Sequence, residues 1–261
     1  MRNSNHQHLV IDIGNTNIVL GTFNGNELTH HWRINTQKEV TVDEVIFTLN
    51  GLIGKNSSSP INVNHVALAS VVPNILYPWS RGLEVFFSKA PLVIQSSQWS
   101  FFNLNYSIPQ QIGADRLCNI LGCQALGIKE AIVVDFGTAT TYDIYSENTY
   151  WGGVISPGLK SSMMNLVQHA SRLADIELYW NQSIIGKSTD DALRNGVLYG
   201  NLGQVDYIVS QILKEKPMKD PTIIATGGMA NLIGEKTNSI KRIERNLTLI
   251  GINHFIQRTN P

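Results

Sequence analysis

Two stretches of this chain, LVIDIGNTNIVLG from Leu9 to Gly21 and IVVDFGTATTYD from Ile132 to Asp143, spell nearly the same strand, turn and strand. Aligning Asp12 with Asp135 also aligns Gly14 with Gly137, and the offset of 123 is close to half of the 261 residues. Duplication is the simplest reading. The first copy continues as a meander of Leu9 to Ile13, Asn17 to Phe23 and Glu27 to Asn35, with Asn24-Gly25-Asn26 as a hairpin turn. A helix is expected over Thr41 to Leu52, a buried strand over Val63 to Val72, a helix from Pro73 to Phe87, and a short strand at Leu92 to Gln95. The second copy repeats the order with strands at Ala131 to Phe136, Thr140 to Tyr145 and Thr149 to Ile155. Helices over 159–169 and 190–213, a strand at Thr222 to Thr226 and a closing helix at Leu247 to Gln257 follow. Two α/β domains of mixed sheet, related by an approximate two-fold with a cleft between them, are the expected architecture.

The two turns also suggest chemistry. Gly14 and Gly137 permit backbone conformations in which consecutive N–H groups cradle phosphate oxygens. Asn15, Thr16, Thr138, Thr140 and Thr141 add side-chain donors. Asp12 and Asp135 would repel phosphate unless cations sit between, and hard oxygen ligands suit Mg²⁺, which takes few protein ligands. A metal-bridged nucleotide is the implied ligand.

Composition narrows the alternatives. Lys plus Arg and Asp plus Glu are equal at 20 each, which removes the electrostatic signature of a nucleic-acid binder. The 43% hydrophobic and 15% charged content argues against disorder. Cys118 and Cys123 suit neither a zinc knuckle nor a redox pair, and read as reduced core residues. No apolar run reaches the roughly 18 residues of a membrane span. A cytoplasmic protein without nucleic-acid or membrane partners is expected.

Three other segments carry weaker signals. Tyr106-Ser-Ile-Pro-Gln-Gln-Ile-Gly-Ala-Asp-Arg116 leads into a helix over Asp115 to Leu126. Asp115 there serves equally as a helix-dipole partner or as a base against a substrate hydroxyl, with Arg116 steadying negative charge. Ile185-Gly-Lys-Ser-Thr189 imitates the end of a phosphate-binding P-loop but lacks its first glycine, because position 181 is Asn181. The glycine-rich stretches from Trp151 to Leu159 and from Ala225 to Ala230 fit either anion binding or close packing.

Taken in order, DIGNTNIVLG (Asp12 to Gly21), GADR (Gly113 to Arg116), DFGTATTYD (Asp135 to Asp143), GGVISPGL (Gly152 to Leu159) and TGGMA (Thr226 to Ala230) make the chain resemble the type III pantothenate kinases. These belong to the acetate kinase, sugar kinase, Hsp70 and actin superfamily. The resemblance implies duplicated ribonuclease H-like, or actin-like ATPase, domains with mixed sheets around a central cleft, with residues 1–114 and 115–261 as the N- and C-terminal subdomains. It implies ATP-dependent phosphorylation of pantothenate to 4′-phosphopantothenate, the first step of coenzyme A synthesis. The departures are local: Tyr-Ser-Ile-Pro precedes GADR where Asn-Pro is common, and CNILGCQA follows it in place of an alanine-rich helix.

Residue by residue, the resemblance assigns ATP contacts to Asp12, Ile13, Gly14, Asn15, Thr16, Asn17, Ile18, Val19 and Thr138. It makes Asp12 the partner of nucleotide Mg²⁺ and Asp135 the ligand of a monovalent cation, K⁺ or NH₄⁺. Asp115 becomes the proton acceptor, and Tyr106, Gly113, Ala114, Asp115, Arg116 and Thr189 the pantothenate contacts. A homodimer is implied as well. The competing reading is a nucleotide-binding accessory transcription regulator of the same family without kinase activity; an intact set of Asp12, Asp115 and Asp135 favours the enzyme.

Overall fold

The computed structural model describes residues 7–54, 63–168 and 176–259. In chain order these form β1 (Gln7–Ile13), β2 (Asn17–Asn24), β3 (Glu27–Asn35), α1 (Val42–Leu49), β4 (Val63–Ser70), α2 (Pro73–Phe87), β5 (Leu92–Val93), β6 (Asn103–Leu104) and α3 (Ala114–Ala125). The second half contributes β7 (Ala131–Phe136), β8 (Ala139–Ser146), β9 (Thr149–Pro157), α4 (Leu159–Gln168), α5 (Thr189–Glu215), β10 (Thr222–Thr226), α6 (Ala230–Gly234), β11 (Arg242–Ile243) and α7 (Leu247–Thr259).

The duplication is visible in the strand order. The first sheet runs β3-β2-β1-β4-β5 and the second β11-β10-β7-β8-β9-β6. Reversed and without β6, the second order is that of the first. The senses agree too: β1 with β2 and β7 with β8 are antiparallel, whereas β1 with β4 and β7 with β10 are parallel. Asp12 lies opposite Val19 and Ala69, and Asp135 opposite Thr141 and Thr226, each acid one residue before its strand ends.

Alternation along β1 decides what each face carries, since successive side chains point to opposite sides. Leu9, Ile11 and Ile13 join Val45 and Leu49 of α1 and Ile75, Trp79 and Leu83 of α2 in one core. Val10 turns the other way and packs with Ala67, Ala69, Ala114 and Cys118 of α3, and Leu249, Ile252 and Ile256 of α7. Asp12 shares the parity of Val10. In the second sheet Ile132, Val134 and Phe136 pack with Tyr142, Ile144, Val197, Leu198 and Val205 in a separate core, so Asp135 points away from it.

Local signals fix the ends of some helices. Thr41 caps α1 through a reciprocal pair, Glu44 N–H donating to Thr41 Oγ1 at 3.3 Å and Thr41 N–H donating to Glu44 Oε2 at 2.8 Å. Pro73 opens α2, and Ser88 ends it in the left-handed region at φ 54°. The expected helix to Leu52 instead widens into a π-type turn over Asn50–Gly54, where Asn50 Nδ2 donates to the Ile46 carbonyl at 3.1 Å. Two-residue β5, β6 and β11 are shorter than expected or were unforeseen, because a pair of residues has no readable periodicity. Residue 169, expected to end α4, lies outside the described residues.

The chain packs as two units, and they are not contiguous halves. One comprises described residues of Met1–Phe101, Ser107–Gly127 and Leu247–Pro261; the other comprises Phe102–Tyr106 and Ile128–Asn246. A single cut after residue 114 therefore does not match the packing: α3 and α7 both cover the Val10 face of the first sheet. They meet closely. A Cβ on Gly251 of α7 would overlap the Cys118 carbonyl of α3, and a Cβ on Gly122 would overlap the Leu247 carbonyl. Thr248 Oγ1 donates to buried Asn119 Oδ1 at 2.7 Å beside this crossing. Gly251→Ala is thus expected to destabilise the protein by about 1–3 kcal/mol through overpacking. Chemical denaturation checks this, and an unchanged midpoint would contradict so close a helix contact.

Candidate active site

In the first unit, β1 carries Asp12 to the turn at 14–16. Gly14 N–H donates to the Asn17 carbonyl at 3.0 Å and closes that turn. Its outer carbonyls are held elsewhere: Ile13 O accepts from Val71 N at 3.0 Å, Gly14 O from Thr36 Oγ1 at 2.6 Å, and Thr16 O from Thr36 N at 2.9 Å. Binding three carbonyl oxygens in this way removes much of the negative edge that would repel an anion. Asn15 and Thr16 are exposed, whereas Ile13 and Ile18 are in the core. Of the run from Asp12 to Val19, those two isoleucines can meet a ligand only through backbone.

The GADR segment opens α3. Gly113 is the residue before the helix, and a Cβ there would overlap Asp115 Oδ1, so the glycine leaves room for the carboxylate to fold back. Asp115 Oδ1 accepts from Arg116 N–H at 2.8 Å. Ala114 and Arg116 are buried, which leaves Gly113 and Asp115 as the partly exposed members of the segment. One turn further on is Cys118. Burial pushes its thiol well above its ordinary value, and the negative charges of Asp12 and Asp115 push it the same way. Two acids separated by 103 positions (115 − 12) therefore act on one buried sulfur. The fold brings Asp12 and Asp115 within electrostatic reach of the same thiol.

In the second unit, Gly137 N–H donates to the Ala139 carbonyl at 3.1 Å, a closure like that of Gly14 but one residue tighter. Thr138 is exposed, and its carbonyl accepts from Ser161 Oγ at 2.7 Å. A Cβ on Gly158 would overlap that carbonyl, so the glycine lets the first turn of α4 abut the 137–138 turn. An N-terminal helix end there adds a field favourable to anions. Gly227, at φ 88°, fits against Asp135: a Cβ there would lie 2.7 Å from the Phe136 carbonyl oxygen and would crowd Asp135 Oδ1. Close packing against the acid is what the TGGMA glycine does. Thr140, read from sequence as a phosphate donor, is buried beside Ser156, which donates to its carbonyl at 3.4 Å. Its side chain faces the core.

Tyr106 is half-buried at the end of the 102–106 segment of the second unit. Thr189 is exposed as the first residue of α5, just after its cap Ser188, whose Oγ accepts from Asp191 N–H at 3.1 Å. A Cβ on Gly186 would meet the first turn of α5, and residues 176–188 contain no strand. The GKST tetrapeptide is therefore a helix-capping segment and not a P-loop. Sequence reasoning passed over Asp143, which is fully buried and accepts from Tyr150 Oη at 2.9 Å and Thr141 Oγ1 at 3.2 Å. Its signal was its place as the last acid of DFGTATTYD, two residues after the Thr141 that pairs with Asp135.

Twin sheets of this order, each with an acid and a glycine turn at the end of its central strand, define a member of the actin-like ATPase fold. The ROK family glucokinase from Streptomyces griseus shares that fold, with a TM-score of 0.54 at 12% identity over 97% of this chain and 99% of its own. The type III pantothenate kinase family model matches residues 8–211, and the chain belongs to that family. It is 39% identical over 251 residues to the type III pantothenate kinase of an Exiguobacterium strain, covering 96% of this chain and 98% of the relative. The corresponding protein of Bacillus cytotoxicus is 41% identical over 251 residues, with 95% of each chain covered. A regulator without kinase activity is not favoured.

The suppressed ionisation of the Cys118 thiol has a direct consequence. At pH 8 the folded protein is expected to leave Cys118 unmodified by iodoacetamide under conditions that alkylate the unfolded chain, because only the thiolate attacks. Peptide mass spectrometry checks this; rapid native alkylation at Cys118 would contradict its burial beside two acids.

Proposed function

We propose that the chain transfers the γ-phosphoryl group of ATP to the primary hydroxyl of pantothenate, giving 4′-phosphopantothenate and ADP, the entry step of coenzyme A synthesis. The observation that carries this reading is the family match over residues 8–211 combined with an intact set of Asp12, Asp115 and Asp135. The bond from the γ-phosphorus to the bridging oxygen of ADP breaks as the bond to the pantothenate oxygen forms. The hydroxyl proton passes to the Asp115 carboxylate. Phosphoryl-transfer transition states are loose, so positioning and charge stabilisation outweigh the base until late in the step.

Asn15, Thr16 and Thr138 are the exposed donors for phosphate oxygens, and the first turn of α4 adds a favourable field behind Thr138. Among the described residues no group of three or more His, Cys, Asp or Glu side chains forms a metal cage. That fits a divalent ion carried largely by the nucleotide, with Asp12 as its protein partner, as Mg²⁺ prefers. When bound, Mg²⁺ neutralises phosphate charge. Around Asp135 the donors are also hard oxygens, its own Oδ1 and the Phe136 carbonyl converging near Gly227. This donor set suits K⁺ or NH₄⁺.

Tyr106, Gly113, Ala114, Arg116 and Thr189 are assigned to the pantothenate side by family resemblance. Ala114 and Arg116, being buried, would act from beneath the surface. The same resemblance assigns a homodimer, and the cytoplasmic location is the expectation drawn from the sequence's cysteines and apolar runs; no helix among the described residues is long and apolar enough to cross a membrane.

Incubating purified protein with ATP, Mg²⁺, K⁺ and pantothenate, with acetate and sugars as alternative acceptors, tests the reading directly. Product from acetate or a sugar but none from pantothenate would refute it. Asp115→Asn is expected to keep the native circular dichroism and lose about 10²-fold or more in turnover, the scale of general-base catalysis. Near-normal turnover would remove Asp115 from that role. In Asp135→Asn, activation by K⁺ is expected to weaken strongly, and a rate dependence on K⁺ identical to the parent's would overturn the cation assignment.

A further inference from the structure

The buried carboxylate of Asp143 plays no part in the phosphoryl transfer described above, yet it is tied to the substrate side of the second unit. Both Asp143 and Tyr150 are fully buried, and Tyr150 Oη donates to Asp143 Oδ1 at 2.9 Å. The other carboxylate oxygen accepts from Thr141 Oγ1 at 3.2 Å, on the strand that follows the phosphate turn and opposite Asp135. A buried phenol needs an acceptor and a buried carboxylate needs donors, so each locks the other in one orientation.

The locked Tyr150 ring is a wall for Tyr106. Parallel pairing sets Leu104 beside Tyr150, and Asn105 N–H donates to the Tyr150 carbonyl at 2.9 Å. The next residue, Tyr106, has its ring centroid 6.1 Å from that of Tyr150, tilted by 37°. Its other support is Gly152, at φ 90°: a Cβ there would lie 3.5 Å from Tyr106 Cδ2 and 3.6 Å from Cε2. Tyr106 is therefore packed against both the hydrogen-bonded Tyr150 ring and the bare Cα of Gly152.

We propose that Asp143 and Tyr150 are positioning residues for pantothenate recognition, fixing the orientation of Tyr106. The inference rests on the reading of Tyr106 as a pantothenate contact. Releasing the Tyr150 phenol leaves the Tyr106 ring more orientations to lose when substrate binds. The effect falls on ground-state and transition-state binding alike, which raises KM for pantothenate with kcat kept. A purely structural hydrogen bond would lower Tm without separating the two substrates.

The experiment compares Tyr150→Phe, Tyr106→Ala and the double variant with the parent, measuring Tm, kcat, KM for pantothenate and KM for ATP. Tyr145→Phe, whose hydroxyl donates to Asn148 Oδ1 at 3.3 Å in the hairpin, controls for loss of a phenol elsewhere in the sheet. The expected result is a rise of about five- to ten-fold in KM for pantothenate in Tyr150→Phe, the scale of one ordinary intramolecular hydrogen bond. KM for ATP and kcat should be unchanged, Tyr145→Phe should resemble the parent, and Tyr150→Phe should add nothing in the Tyr106→Ala background. If Tyr106→Ala raises KM for pantothenate while Tyr150→Phe stays within two-fold of the parent, the positioning role is overturned and the Tyr106 contact stands. If Tyr106→Ala itself leaves KM unchanged, the contact is refuted and the positioning role with it. Equal rises for both substrates in Tyr150→Phe would also overturn the proposal by showing general loosening.

Discussion

A strand buried on both faces that nevertheless carries a carboxylate one residue before its end is the constraint on which this structure depends. In β1 the apolar alternation commits Leu9, Ile11 and Ile13 to one core, and Asp12 must then share the opposite face with Val10. Shifting the register by one residue would drive the acid into the α1–α2 core, at the cost of an unpaired buried charge. The same logic turns Asp135 away from Ile132, Val134 and Phe136 in β7. Parity along two central strands thus sets which face of each sheet carries the chemistry. The glycine turns that follow only have to close and present their donors.

Packing then brings the remaining groups to those faces. On the first sheet, α3 and α7 cross at Gly122 and Gly251 closely enough that no side chain fits between backbones. The crossing seats α3 against the Val10 face and carries Asp115 into electrostatic reach of the thiol that Asp12 also reaches. On the second sheet, glycines at 158 and 227 allow α4 and the TGGMA loop to press against Thr138 and Asp135. Glycines 122, 158, 227 and 251 share one use: each removes a Cβ where a second backbone comes close. The motif glycines therefore reflect close contact as much as phosphate binding.

Much of this was legible in the sequence. The offset of 123 announced a repeated sheet, and the strand orders bear it out. Strand and helix bounds were legible where the alternation was strong or a cap was written in, as with Pro73 to Phe87 and Thr222 to Thr226. The roles of Thr140 and Asp143 were not. Adjacent threonines in TATT look equally able to donate, and only the strand's pleat sends Thr140 inward. Asp143 carries no assigned role until Tyr150, seven residues away, is seen to fold its phenol onto it.

The sequence by itself determined the repeated α/β halves, the two acid-glycine turns and the membership of a kinase family, because periodicity, turn chemistry and ordered motifs are local properties of the chain. Tertiary structure decided which helices belong to which sheet. The closing α7 returns across more than a hundred positions to pack on α3, and no local pattern encodes that partner. It also decided which hydroxyls and acids face a ligand and which are spent on one another. Those outcomes depend on burial and on hydrogen bonds between residues far apart in the chain, and both come into being only when the sheets and helices have closed.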